Sequence, residues 1–131
     1  MTKEEPVIRK VLIVEDDPNL ARTYRLEFES SGLTVEQAFD GEEALVKAKN
    51  RPDLIILDIM LPKLGGFEVL KSLHEDFELS KIPVLTLTNF GSNDNIKQSF
   101  DLGAVDFVMK YRVTPDELVT RVKKILNSVP V

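Results

Sequence analysis

Five short apolar runs along this chain alternate with longer segments whose apolar residues recur every three or four positions. Continuous runs of Val, Ile and Leu are typical of strands buried on both faces, and the longer period is typical of amphipathic helices. We therefore predict a regular alternation of strand and helix. The strands are expected at about residues 10–14, 34–39, 54–57, 84–87 and 105–109.

Capping residues mark three of the helix starts, and glycines mark two of the helix ends. Gly32 and Gly103 are typical of the position that follows a helix. The connections are short, which favours right-handed crossovers and a single doubly wound parallel sheet with helices on both faces. The predicted starts are Asp17 before Pro18, Asp40 with Glu43 three residues later, and Thr114 with Pro115 and Glu117.

Composition narrows the class of protein. A chain of 131 residues, 43% hydrophobic and 30% charged, has the size of one globular domain, and we expect residues 1–131 to form it with a core at about 9–127. The formal net charge of -5 argues against direct nucleic-acid binding. Cysteine is absent, which excludes disulfides and thiolate zinc sites. No signal peptide or membrane-length apolar run is visible, so we expect a cytoplasmic location without membrane contact.

Acidic residues follow two of the predicted strands. Glu15 and Asp16 come after the first strand, and Asp58 comes after the third. Because the carboxyl ends of parallel strands share one edge of a sheet, these carboxylates are expected to converge. Such a cluster repels itself unless a hard cation neutralises it, and an all-oxygen ligand set with few protein donors suits Mg²⁺. Asp17 is interpreted separately as a helix N-cap.

A hydroxyl and a cation end the next two strands at the same edge. Thr88 ends the fourth strand, and Lys110 ends the fifth. Each is unremarkable alone, because Thr is common in strands and a Lys at a strand end is usually solvated. Their placement on successive strand ends beside the carboxylates favours a site for a metal ion and a phosphoryl group.

This combination resembles the receiver domain of two-component response regulators. The similarity covers about residues 9–127 and rests on Glu15-Asp16, Asp58, Thr88 and Lys110 in this order on strand ends one, three, four and five. The stretches at 57–62 and 102–104 strengthen it. The resemblance implies a flavodoxin-like α/β fold with strand order 2-1-3-4-5.

The resemblance also implies the chemistry of the site. Asp58 would accept a phosphoryl group from a phosphohistidine on a sensor histidine kinase or phosphotransfer protein, with Mg²⁺ as cofactor. Asp16 and Asp58 would ligate the metal directly, Glu15 through a water and Met60 through its backbone carbonyl. Lys110 would bind the phosphoryl group. Such a domain is not an enzyme for other substrates, but it assists its own phosphorylation and dephosphorylation.

A conformational switch follows from the same resemblance. Thr88 would also bind the phosphoryl group, drawing its loop inward and freeing space for Phe107 to rotate. The surface formed by the fourth helix, fifth strand and fifth helix would change and be read by an output partner that the sequence does not identify. A homodimer through this surface is compatible with the resemblance.

Several positions depart from the usual family sequence. Tyr111 follows Lys110 where the family places a Pro with a cis bond, so the cis and trans forms both stay open. Asn89 follows Thr88 where a small residue is common, and Phe107 replaces a Tyr.

Two apolar residues are expected to control hydrolysis of the phosphorylated state. Met60 and Phe90 stand two positions after Asp58 and Thr88, and the resemblance places them beside the path of the attacking water. Neither can orient a water by hydrogen bonding, which predicts slow loss of phosphate.

Two further features are given a structural interpretation. Glu117 and Arg121 are interpreted as an i, i+4 helix pair. His74, the sole histidine, is interpreted as a solvated surface residue.

Three other classes of protein share part of this sequence pattern with the receiver domain. A haloacid-dehalogenase-like phosphatase also uses a strand-end Asp nucleophile, but it needs a second Asp where Met60 stands. A flavodoxin-like electron carrier needs a phosphate-binding loop after the first strand, where the acidic residues at 15–17 would repel phosphate. A phosphorylation-independent interaction module fits the unusual residues after Lys110 and Thr88, but it leaves the acidic cluster unexplained.

Overall fold

The computed structural model describes residues 8–89 and 91–128, whose five strands form one parallel sheet in the order β2-β1-β3-β4-β5. This arrangement confirms the predicted doubly wound α/β fold. The strands are β1 (Lys10–Val14), β2 (Thr34–Ala38), β3 (Leu54–Asp58), β4 (Val84–Thr88) and β5 (Asp106–Met109). The helices are α1 (Pro18–Ser30), α2 (Gly41–Ala48), α3 (Gly66–Glu75), α4 (Asn93–Asp101) and α5 (Pro115–Ser128), with 3-10 turns at Leu79–Lys81 and Lys110–Arg112.

β1 has the predicted bounds, and each of the other four strands differs from its predicted range by one residue at one end. Phe39 lies beyond β2 because its N–H donates to the Glu43 carboxylate in the cap of the next helix, at 2.6 Å. Val105 is exposed and precedes β5. Asp58 and Thr88 are the last residues of β3 and β4. The side chains singled out for chemistry are therefore anchored in the sheet.

Alternate residues of the strands face two separate cores, which explains the continuous apolar runs. Apolar residues of α1 and α5 lie in one core, and those of α2 and α3 lie in the other. The first core includes Val11, Ile13, Leu54, Ile56, Leu85, Tyr24, Phe28, Leu118 and Val122. The second includes Leu12, Val14, Ile55, Leu57, Ala44, Ala48, Val69, Leu70 and Leu73.

The predicted caps are present. Asp17, Asp40 and Thr114 accept hydrogen bonds from backbone N–H groups in the first turns of α1, α2 and α5. Gly32 and Gly103 have φ values of 91° and 101°, which favour glycine and confirm both as helix stops. In the described part of the chain, none of the helices has both the length and the apolar character needed to cross a membrane.

Candidate functional site

Three carboxylates converge at the carboxyl edge of the sheet. Asp58 ends β3 and Glu15 directly follows β1, and both are almost completely buried, whereas Asp16 is exposed. One oxygen from each of the three lies within 4.8 Å of the others. The register brings them together, because β1 and β3 pair directly with Val14 opposite Leu57. The predicted convergence of carboxylates is present in the structure.

The ammonium group of Lys110 lies between two of these carboxylates. Its Nζ donates to Asp58 Oδ2 at 2.7 Å and lies 2.5 Å from Glu15 Oε1. Burial by itself would lower the pKa of Lys110, but its hydrogen bond to Asp58 and the negative charges of Asp58 and Glu15 outweigh burial and raise that pKa. Lys110 is therefore a constant positive charge within the cluster.

Glu15 has the least satisfied carboxylate of the group. Its Oε2 accepts a hydrogen bond from the Asp17 N–H at 3.1 Å. Its buried Oε1 touches the Lys110 ammonium, but the angles of that contact are not those of a hydrogen bond. Burial raises the pKa of Glu15 to about 7, although Lys110 acts in the opposite direction. A buried oxygen without a well-directed donor is costly, so a further cation would stabilise this arrangement.

The donor set of the cluster matches a hard divalent cation. Glu15, Asp16 and Asp58 offer carboxylate oxygens and no nitrogen or sulfur. Mg²⁺ prefers oxygen ligands, often takes only one or two carboxylates and keeps several waters. The exposed position of Asp16 leaves space for those waters, and the incompletely bonded Glu15 Oε1 can accept from one of them. The residues present therefore fit Mg²⁺.

Both carboxylate oxygens of Asp58 are held in place. Oδ1 accepts the N–H of Met60 at 2.9 Å, and Oδ2 accepts from Lys110. The start of α3 packs tightly against this backbone at Gly66, where a Cβ atom would lie 2.3 Å from Ile59 Cα and 2.4 Å from the Asp58 carbonyl oxygen. Glycine at 66 is therefore required for the close approach that fixes the segment after Asp58.

The carboxylates form the floor of an open pocket of about 430 Å³. The exposed side chains of Met60 and Tyr111 lie at its mouth. Tyr24 is buried in its wall, and burial raises the pKa of that phenol to about 12. The pocket is lined by Glu15, Asp16, Asp17, Leu20, Tyr24, Asp58, Met60, Asn89, Lys110 and Tyr111.

The two predicted switch residues lie in different surroundings. Thr88 is buried at the end of β4, pairs in register with Met109, and is followed by Asn89 in the acidic pocket. Phe90 lies outside the described residues. Phe107 is half-buried and belongs to a second cleft of about 430 Å³ between α4, β5 and α5. That cleft is also lined by Ile96, Arg112, Val113, Glu117 and Arg121.

A sequence model of the response regulator receiver domain matches residues 11–123, which include every residue of the acidic cluster and Lys110. This chain belongs to the response regulator receiver family. Receivers are signalling domains of two-component systems that accept a phosphoryl group, and the predicted family is thereby confirmed.

Related proteins share the receiver over most of its length. It is 41% identical over 120 residues to the alkaline phosphatase synthesis transcriptional regulatory protein PhoP of Bacillus subtilis, with 91% of this chain and 49% of the relative covered. Identity to the DNA-binding dual master transcriptional regulator RpaA of Synechocystis is 39%, covering 90% of this chain and 49% of that protein. The chain spans about half the length of these curated relatives.

Solved structures show the same fold. The chemotaxis response regulator CheY4 of Vibrio cholerae superposes with a TM-score of 0.84 at 30% identity, covering 91% of this receiver and 99% of that chain. A response regulator described as putative from Chloroflexus aurantiacus J-10-fl gives a TM-score of 0.84 at 36% identity, covering 92% and 99%.

One local prediction for this receiver is wrong. Arg121 does not pair with Glu117 along α5, because its Nη1 lies 3.1 Å from Asp106 Oδ2 on β5. Glu117 Oε1 instead accepts the hydroxyl of Thr114 at 2.8 Å, within the helix cap. His74 is exposed on α3, as predicted.

Sequence reasoning did not assign two tyrosines to the pocket of this receiver. Tyr24 belongs to the apolar face of α1, and because side chains of a helix lean towards its N-terminus, it is directed towards the acidic edge. Tyr111 carried no such signal. The Lys110–Tyr111 bond is trans, since the described residues contain no cis bond, and the 3-10 turn at Lys110–Arg112 then places the ring at the pocket mouth.

Proposed function

We propose that this receiver is a phosphorylation-dependent switch in which Asp58 takes a phosphoryl group from a phosphohistidine of a sensor histidine kinase or phosphotransfer protein. The observation that carries the proposal is the Lys110 ammonium, 2.7 Å from Asp58 Oδ2, in a cluster with two further carboxylates. A carboxylate is normally repelled by a phosphoryl group, and the fixed cation offsets that repulsion.

The metal belongs to the same proposal. Asp16 and Asp58 would hold Mg²⁺ directly, Met60 would contribute its backbone carbonyl, and Glu15 would act through a bound water. When bound, the ion supplies positive charge next to the phosphoryl oxygens. The buried Glu15 Oε1, which lacks a well-directed donor, supports this assignment. Lys110 would then turn from Glu15 to a phosphoryl oxygen.

The transfer needs no other group of the chain as acid or base. A bond forms between a carboxylate oxygen of Asp58 and phosphorus, the phosphorus–nitrogen bond of the donor breaks, and the electron pair stays on the departing imidazole nitrogen. Lys110 and Thr88 would bind the transferred oxygens. The receiver thus contributes positioning and charge to its own phosphorylation and dephosphorylation, without acting as an enzyme on other substrates.

Signal output would use the surface formed by α4, β5 and α5. Thr88 would follow the phosphoryl group inward, and Phe107, half-buried beside an open cleft, would rotate into the space that this movement frees. The output partner would recognise this surface, which is also the one available for a homodimer. We propose residues 1–131 as a single domain with its core at about 9–127. Direct nucleic-acid contact is not part of the proposal, and the cytoplasmic location stays a prediction.

Intact mass after incubation with phosphoramidate and Mg²⁺ tests the proposal. The wild type should gain one phosphoryl group, and EDTA should prevent the gain. Asp58→Asn should remain unmodified, whereas Asp101→Asn should react like the wild type because Asp101 is exposed on α4 and pairs with Lys97, away from the acidic pocket. Equal modification of Asp58→Asn would refute the assignment. A wild type that never gains mass would favour the phosphorylation-independent module.

A further inference from the structure

Tyr111 lies at the mouth of the acidic pocket, directly after Lys110, with 66% of its surface exposed. Its hydroxyl donates to Met109 Sδ at 3.4 Å, and the guanidinium of Arg112 lies 5.8 Å from the ring centroid. These contacts hold the ring beside the pocket. Core packing does not explain a large exposed aromatic side chain at this place.

The acidic pocket has room for groups besides the reacting phosphoryl group. It is open to solvent and has a volume of about 430 Å³. Charge lies on the floor, at Asp58 and its neighbours, whereas Leu20, Met60 and Tyr111 contribute apolar surface. A ligand that fits this distribution places an anionic end on the floor and a flat ring at the mouth.

We propose that Tyr111 is a donor-recognition residue: its ring contacts the imidazole ring of the phosphohistidine during transfer to Asp58. The receiver would then prefer phosphoryl donors whose leaving group is an aromatic ring. This inference rests on the proposed role of Asp58 as phosphoacceptor, and it adds the recognition of the donor's leaving group.

The chemistry of the leaving group supports the contact. As the bond from Asp58 to phosphorus forms, the phosphorus–nitrogen bond breaks and its electron pair stays on the ring nitrogen. The reactive donor carries a proton on its other ring nitrogen, so it leaves as neutral imidazole. The protonated donor ring is planar and cationic, and both properties favour contact with the face of Tyr111. Asp16 and Asp17, exposed in the same pocket, complement its positive charge.

Two small donors isolate the contribution of the ring. Monophosphoimidazole and phosphoramidate both transfer from a phosphorus–nitrogen bond, but only the first contains an aromatic ring. Rate constants are measured by intact mass with Mg²⁺ present, and the preference is the ratio of the two. Tyr111→Ala should lower the preference on the order of fivefold, corresponding to about 1 kcal/mol, entirely through the monophosphoimidazole rate.

Two further variants serve as controls. Tyr111→Phe keeps the ring and should keep the wild-type preference. Phe77→Ala removes another exposed aromatic side chain, which contacts Lys81 and does not line the pocket, and should also leave the preference unchanged.

The outcomes separate this inference from the proposed function. An unchanged preference in Tyr111→Ala, or an equal fall in both rates, would overturn the ring contact. A fall in Tyr111→Phe as large as in Tyr111→Ala would assign the effect to the hydroxyl and overturn it too. If neither donor modifies the wild type, the role of Asp58 itself is wrong.

Discussion

Replacing Lys110 by Met tests whether the buried ion cluster has the energetics that its geometry indicates. The substitution keeps most of the side-chain volume and removes the ammonium. In the wild type that ammonium contacts Asp58 and Glu15, whose side chains are 2% and 1% exposed. Without it, two negative charges remain buried next to each other and lack their cation.

The expected cost is large for a domain of this size. Removing one partner of a buried ion pair typically costs about 3–5 kcal/mol, because the remaining charge stays buried. We expect about 3 kcal/mol, at the lower end, because the pocket opens to solvent and water can reach the carboxylates. That is a substantial part of the 5–15 kcal/mol by which small domains are typically stable. Mg²⁺ should reduce the cost, since it supplies positive charge to the same oxygens.

Urea unfolding followed by circular dichroism measures this cost, with EDTA or with Mg²⁺. The pH is kept well above the raised pKa of Glu15, because loss of Lys110 raises that pKa further. Lys97→Met is the matched control, because Lys97 Nζ also lies 2.7 Å from a carboxylate, that of Asp101, but both side chains are mostly exposed. The free energy of unfolding of Lys97→Met should fall by less than about 1 kcal/mol. Equal losses for the two variants in EDTA would refute the reasoning, and a loss that Mg²⁺ does not reduce would contradict the metal site.

Three further predictions concern the phosphorylation cycle. Asp16→Ala should abolish Mg²⁺-dependent phosphorylation. Without metal its stability should be unchanged or higher, because like-charge repulsion is relieved. Phosphate uptake at the wild-type rate, measured by intact mass, would show that Asp16 is not part of the metal site. Thr88→Ala should still accept phosphate at Asp58 but lose the change in amide hydrogen exchange over α4 and β5, and a full change would exclude Thr88 from the switch. The phosphorylated wild type should lose its phosphate slowly, and Met60→Asn combined with Phe90→Glu should speed that loss about tenfold, which corresponds to about 1.4 kcal/mol of barrier. A wild-type half-life of seconds, or equal decay in both proteins, would show that these side chains do not control water access.

The sheet could be predicted because burial on both faces requires continuous apolar sequence, and β3 is buried at every position. The starts of α3 and α4 were not predicted. Gly65 precedes α3 without any side-chain cap, so its sequence contains no capping signature. Ser99 is the one buried residue of α4 among those described, and the start of that helix is capped by Ser92, whose hydroxyl accepts the Asn95 N–H; sequence reasoning did not use this capping residue.

The acidic site could be predicted for a related reason. Glu15, Asp58 and Lys110 lie at strand ends, and parallel pairing alone brings strand ends together. The positions of Tyr24 and Tyr111 depend instead on the direction of a side chain from a helix and on the conformation of a 3-10 turn. Neither can be derived from hydrophobic periodicity. The conformation of the turn could not be predicted, because a Tyr stands where the family has Pro.

The two tyrosines also determine the optical properties of the protein. The chain contains no tryptophan and no tyrosine besides Tyr24 and Tyr111, both of which line the acidic pocket. Ultraviolet fluorescence excited beyond the absorption of phenylalanine would therefore originate entirely from the site. Because burial raises its pKa to about 12, the Tyr24 phenol stays protonated at alkaline pH values at which an ordinary tyrosine ionises. Metal binding and phosphorylation should thus be observable in the unlabelled native protein, with two reporters already in place.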